Sequence, residues 1–143
     1  MAETFHVGYN TLLKAATTDN GTKKTFVGVT SDSFQRQANV KESITKTDAG
    51  SKRRTATSVA DTWTVSGVCG VDGSQISRFE IIQLVGTKVY VEYKINDASG
   101  GGTIACAALV TSYSEETPAD PDTDPTYSLT LERDGAATFT AAQ

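Results

Sequence analysis

Hydrophobic and polar residues alternate with a period of two along most of this chain, which is the spacing of a half-buried β-strand. The alternation is most regular in Thr87–Ile95, where Val89, Val91, Tyr93 and Ile95 fall on one side and Lys88, Tyr90, Glu92 and Lys94 on the other. In Asp61–Val71 the residues Trp63, Val65, Gly67, Cys69 and Val71 share a face, opposed by Thr62, Thr64 and Ser66. Shorter or more polar strands are predicted at Asn10–Ala16 and, after an Asn20-Gly21 hairpin turn, at Lys23–Val29. Ser31–Lys46 is strand-like but polar: Phe34, Ala38, Val40 and Ile44 share one parity, broken by Arg36 and Glu42. Ile104–Tyr113 and Thr126–Arg133 follow, the latter with Tyr127, Leu129 and Leu131 inward, and the tail Ala136–Thr140 is placed to add one edge pairing.

One helix interrupts this pattern, at about residues 77–85. Ser77 and Glu80 have capping-box spacing, and Ile76 and Ile81 are placed as a hydrophobic staple. Phe79, Ile82 and Val85 form an apolar stripe over about three turns, and Gly86 supplies a left-handed stop. Three loops complete the reading: a polar one at 47–57, a glycine-rich one at Asn96–Gly102 and an acidic, proline-bearing one at 114–125. The predicted fold is therefore mainly β, a β-sandwich or partly closed barrel with one flanking α-helix, in a single domain spanning 1–143. Its expected core contains Trp63, Val65, Phe79, Ile82, Val89, Val91, Tyr93, Leu129 and Leu131.

Composition narrows the function. A formal net charge of −4 and a pI near 4.9 argue against general nucleic-acid binding. No apolar run approaches the roughly 18 residues a membrane-spanning helix needs. Met1–His6 has neither a basic start nor an apolar core, so a secretory signal is not expected and synthesis in a cytoplasm is. Cys69 and Cys106, without metal-ligand spacing, read as small buried residues. His6 is the single histidine and no nucleophile elbow accompanies it, so neither a catalytic triad nor a zinc site is predicted. Asp120-Pro-Asp-Thr-Asp124 imitates the start of a calcium loop, but Pro125 and Leu131 stand where that loop requires glycine and a bidentate glutamate. Adjacent Glu115 and Glu116 point to opposite faces of a strand, a poor arrangement for paired carboxylate catalysis. No enzyme, cofactor or metal is predicted.

Several stretches, in order, resemble the major tail tube protein of long-tailed, siphovirus-like bacteriophages. They are Gly28–Phe34, Ile44–Gly50, Thr62–Gly67, the capped helix, Lys88–Tyr93, Ala108–Ser114 and Tyr127–Gly135. The resemblance is one of pattern and order over most of the chain. It implies a structural virion protein whose hexameric rings stack into a tube that conducts DNA without binding it specifically. It also implies a location in the virion tail after assembly in the host cytoplasm. The implied partners are further copies of the chain and the tape measure, baseplate hub and tail terminator proteins, with no membrane insertion. The implied reach of the polar loop to an adjacent ring suggests a contact between unlike patches: Lys46, Lys52, Arg53 and Arg54 on one subunit, and Glu115, Glu116, Asp120, Asp122 and Asp124 on the next. The competing readings are a monomeric virion decoration or carbohydrate-binding module using Trp63, Tyr90 or Tyr113 as platforms, and a single-ring baseplate hub or tail terminator.

Overall fold

The computed structural model describes residues 11–19, 21–44, 50–70, 73–95 and 101–141. His6, Asn20, Lys46, Val71 and most of the glycine-rich loop lie outside these residues. The elements are β1 (Thr11–Ala16), β2 (Lys24–Thr25), β3 (Val29–Ser43), β4 (Arg53–Val68), α1 (Arg78–Leu84), β5 (Lys88–Ile95), β6 (Gly102–Glu116) and β7 (Thr126–Ala141). The chain is mainly β with one short helix. The strands form a single antiparallel sheet in the order β2-β1-β5-β6-β7-β4-β3.

This sheet is open but rolled. Phe34 on edge strand β3 lies 5.3 Å, centroid to centroid, from Tyr93 on β5, four places along the strand order. Trp63 on β4 meets both rings, at 5.3 Å from Phe34 and edge-on at 6.3 Å from Tyr93. Side chains therefore span the gap that backbone pairing leaves. Burial raises the Asp32 carboxyl on β3 above its usual range, partly opposed by the backbone of Asp32 itself and of Leu13 on β1. The interior holds the faces that the alternation predicts: Trp63 and Val65, Val89, Val91 and Tyr93, and Leu129 and Leu131 are all buried. Trp63 sits in register between Phe34 and Leu131.

One end of the roll is stopped by the turn after β2. Phe26 forms a parallel bridge with Ile76, and the Tyr127 hydroxyl donates to the Val27 carbonyl at 2.5 Å. This turn presses on β4 so closely that a Cβ on Gly67 would stand 2.5 Å from the Gly28 carbonyl oxygen. Gly28 itself has φ of +58°, a conformation that side chains with a Cβ seldom adopt.

Three strands are far longer than their patterns suggest: β4, β6 and β7 run 16, 15 and 16 residues, against a typical strand of about 5–6. β3 runs 15 residues, close to the length expected for the polar strand at Ser31–Lys46. The expected polar loop at 47–57 is correspondingly shorter, because Arg53, Arg54, Thr55 and Ala56 pair with Ser43, Glu42, Lys41 and Val40. Likewise Ser114–Glu116 belong to β6, and Ala136–Thr140 continue β7 instead of forming a separate strand.

The helix corrects two members of the expected core. Phe79 is 69% exposed and Ile82 42%, whereas Ile81 is fully buried. α1 is two turns long, so only one narrow face reaches the sheet. Ile76 and Ile81 occupy it as the predicted staple, with Leu84 half-buried beside them. At about 100° per residue, Phe79 and Ile82 turn away from a face centred on Ile81. Ser77 is the N-cap but makes no side-chain capping bond, so the capping box does not form. Gly86, with φ of +81°, does terminate the helix, and its N–H donates to the Val110 carbonyl.

Candidate functional site

The long antiparallel strands give the molecule two chemically unlike ends. At one end the β3–β4 hairpin leaves the core: every residue from Gln35 to Ser43 and from Arg53 to Ser58 is exposed. Lys41, Lys52, Arg53 and Arg54 gather there against Glu42, an excess of three positive charges (4 − 1) among the described residues. Glu42 bridges two of them, with Oε1 3.1 Å from Arg54 Nε and Oε2 3.8 Å from Lys52 Nζ. Exposed Val40 and Ile44 lie among these charges.

The opposite end carries the turn from β6 to β7. Glu116, Asp120, Asp122 and Asp124 are exposed there. Asp120 organises its own turn, accepting from the Asp122 N–H at 3.0 Å and from the Thr123 hydroxyl at 3.3 Å. Among the described residues no cluster of three or more His, Cys, Asp or Glu side chains could hold a metal ion.

Glu115 does not join that acidic surface as a free charge. Its Oε2 accepts from Arg78 Nε at 2.6 Å and its Oε1 from Arg78 Nη2 at 2.6 Å, a bidentate pair. The Tyr113 hydroxyl donates to Oε2 at 2.9 Å, and the Tyr113 ring stacks on Tyr127. Arg78, then Tyr113, hold the Glu115 carboxyl below the usual carboxylate range, while burial and the bond to Glu115 raise the Tyr113 phenol. The group thus tethers the start of α1 to β6. Sequence reasoning missed Arg78, because the two partners stand 37 positions apart.

A lowered folded-state pKa means that the tether contributes fully above the unfolded carboxyl's range and is lost as pH falls through the folded value. Amide protection factors across α1, with the intrinsic pH dependence of exchange divided out, are therefore expected to fall as the protein is acidified below about pH 4. In Glu115→Gln they should already be lower at neutral pH and change little on acidification.

Between the tether and the acidic turn lies a groove of about 400 Å³, lined by Cys69, Gly70, Arg78, Phe79, Ile82 and Pro125. Its walls are fixed by main-chain bonds, Cys69 N–H to the Pro125 carbonyl at 2.9 Å and Arg78 N–H to the Gly70 carbonyl at 3.3 Å.

A third polar cluster marks the level at which the core stops and the hairpin begins. The Asp61 side chain is wholly buried, with Oδ2 2.8 Å from Arg133 Nε and Oδ1 3.5 Å from Arg36 Nε. The Arg133 contact is short but poorly aligned, so attraction between charges holds it more than a directed hydrogen bond does. Arg133 also donates to the carbonyls of Val59 and Gly135, and the Arg36 guanidinium lies over the Phe139 ring at 4.8 Å. One signal of this cluster was present in the pattern: Asp61 shares the parity of Trp63 and Val65.

Neither cysteine forms a disulfide. Burial, then Asp61, pushes the Cys106 thiol up to about 11, partly opposed by Arg133, so it stays protonated near neutrality. Of the three expected ligand platforms, Trp63 is fully buried and Tyr113 is engaged with Glu115, while half-buried Tyr90 remains on β5. Among the described residues no helix is long and apolar enough to cross a membrane.

The fold is shared with several solved assemblies. The chain resembles a subunit from the tail of an empty gene transfer agent particle, solved with helical refinement in C6 symmetry. That match has a TM-score of 0.78 and 18% identity, and covers 96% of this chain and all of the other. The SPP1 tail tube matches with a TM-score of 0.69 and 14% identity over 95% of this chain and 79% of that one. A chain of the six-fold symmetrised anti-feeding prophage baseplate matches with a TM-score of 0.67 and 13% identity over 99% of each. No individually curated protein sequence matches significantly. The family model for phage tail tube proteins, however, matches residues 6–139, nearly the whole chain. With that match and this fold, the chain belongs to the phage tail tube protein family.

Proposed function

We propose that this chain is the repeating wall subunit of a phage tail tube, acting as a structural part and not as a catalyst. Copies assemble into hexameric rings, and the rings stack head to tail around a bore that conducts DNA. The sheet carries this reading: four strands far longer than the core requires, with β3 left as an edge along its full length. Such an edge invites pairing with another chain, and a neighbouring subunit that completes the sheet uses it. The symmetry of the related assemblies supports six copies in a ring.

The face of β3, β4 and β7 turned away from the core supports a conduit. It presents Gln35, Gln37, Thr62, Thr64, Ser128 and Thr130, with the acidic Glu132 beside Thr62, neutral and acidic groups that would not hold phosphates as a basic wall would. The tape measure, baseplate hub and tail terminator proteins are the expected companions in the virion tail, with assembly in the host cytoplasm. The burial of Trp63 weighs against the sugar-binding alternative.

Stacking of this kind joins the basic hairpin end of one ring to the acidic end of the next, through Lys46, Lys52, Arg53 and Arg54 on one side and Glu116, Asp120, Asp122 and Asp124 on the other. Glu115 drops out of the contact because Arg78 occupies it. Negative-stain microscopy of the concentrated protein is expected to show tubes built of six-fold rings. Reversing Lys52, Arg53 and Arg54 to glutamate is expected to leave rings but few tubes, and tubes of the unaltered protein should shorten with rising salt. Single rings that never stack would favour a hub or terminator. A protein that stays monomeric even with a preformed tail tip would overturn the tube reading.

A further inference from the structure

We infer that the groove beside α1 is a socket for the β3–β4 hairpin of a second copy, with Phe79 and Ile82 gripping the Val40 and Ile44 side chains. The inference rests on the head-to-tail assembly proposed above and adds the apolar anchor that charge pairing alone does not supply. It starts from an oddity of α1. The helix buries Ile81 against its own sheet and leaves Phe79 69% exposed, the highest exposure of any large apolar residue described. The groove floor is held in place by the Cys69–Pro125 and Arg78–Gly70 main-chain bonds and by the Arg78–Glu115 pair. A rigid apolar hollow of this kind needs little reorganisation to accept a side chain.

Its occupant is indicated by charge and by position. The end of the molecule bearing the groove also carries Glu80, Glu116, Asp120, Asp122 and Asp124. The matching surface is the hairpin: Val40 and Ile44, 53% and 56% exposed, flank a Glu42 that Lys52 and Arg54 neutralise, and Lys41 and Arg53 leave the surface basic. Beyond Arg36, the stretch Gln37–Ser43 reaches about 23 Å at ~3.3 Å per strand residue, enough to project past the subunit's own core. Socket and hairpin lie at opposite ends of one antiparallel sheet, so the hairpin cannot fill its own subunit's groove. It can fill that of the next copy, and the contact repeats without closing, as an axial stack requires.

Two measurements on the full-length protein test this. Phe79→Asp and Val40→Asp alter exposed side chains, so each subunit is expected to keep its circular dichroism and thermal midpoint. Each should raise the critical concentration for tube growth at least tenfold in sedimentation assays while rings still form. Separately, Cys69 lines the groove, so Val40→Cys in a Cys106→Ala background should be joined to Cys69 of the adjacent copy by a short bismaleimide. Assembled tubes would then yield a ladder of linked chains on denaturing gels, absent when Cys69 is also replaced by alanine. Tubes that grow normally with Phe79→Asp overturn the socket while leaving the tube reading intact. Loss of stacking with Phe79→Asp but no ladder assigns the groove to another occupant and overturns the hairpin's role. A wild-type protein that never stacks fails earlier, at the tube reading itself.

Discussion

Replacing Asp61 by alanine is expected to destabilise the subunit by about 3–5 kcal/mol, the cost of removing one partner from a buried ion pair. The Arg133 side chain is only 15% exposed, so its charge would remain in the interior with carbonyl oxygens as its sole compensation. Arg36 is 38% exposed and can turn toward water, so it adds less. A loss of this size lowers the thermal midpoint of a chain of 143 residues by about 10–17 °C. Urea unfolding of Asp61→Ala, Arg133→Met and the double variant would check it: the double variant should lose less than the two single losses combined, because it leaves no charge unpartnered. Additive losses would show that the two side chains act independently. The cluster also sets where the core ends. Arg133 ties β7 at Gly135 to β4 at Val59, and in Asp61→Ala the strands beyond this level should exchange their amides faster.

Trp63→Ala is expected to cost a similar amount, about 3–5 kcal/mol, by a different route. Trp63 is fully buried between Phe34 and Tyr93, and these rings hold β3 against β5 across the rolled sheet, where no described backbone ladder joins the edges. Removing the indole opens a cavity at that seam. Trp63→Phe should cost much less, because the Trp63 Nε1–H is buried without an acceptor and its removal offsets part of the lost apolar contact. Trp63 is the single tryptophan, so unfolding must be followed by circular dichroism and not by indole fluorescence. If Trp63→Ala unfolds within about 1 kcal/mol of the unaltered protein, the rings do not hold the roll together.

The two effects show which parts of the fold were legible in the chain. Inner faces of β4, β5 and β7 followed directly from alternation, since a half-buried strand must place apolar residues at every second position. β3 was legible as a polar strand at Ser31–Lys46, but the outer half of β4 and the continuity of β7 past Arg133 were not. Outside the core no alternation marks these stretches, and pairing with the adjacent strand makes them extended. The phase of α1 was ambiguous for another reason: Phe79, Ile82 and Val85 and the set Ile76, Ile81 and Leu84 are both apolar. The staple and the Arg78–Glu115 tether chose between them. Glu115 looked like one more member of an acidic loop until its distant partner was brought beside it.

By itself, the sequence determined a mainly β chain with one short helix, most of its core, the lack of a recognisable catalytic set and the tail tube family. Those properties depend on local periodicity and on which residue types are present. Tertiary structure alone decided that the sheet is single and rolled, that Asp61 is buried between two arginines, and that basic and acidic surfaces occupy opposite ends. It also decided that Phe79 faces outward. Each of these depends on contacts between residues distant in the chain, and the energies that select them arise only when the strands are in register.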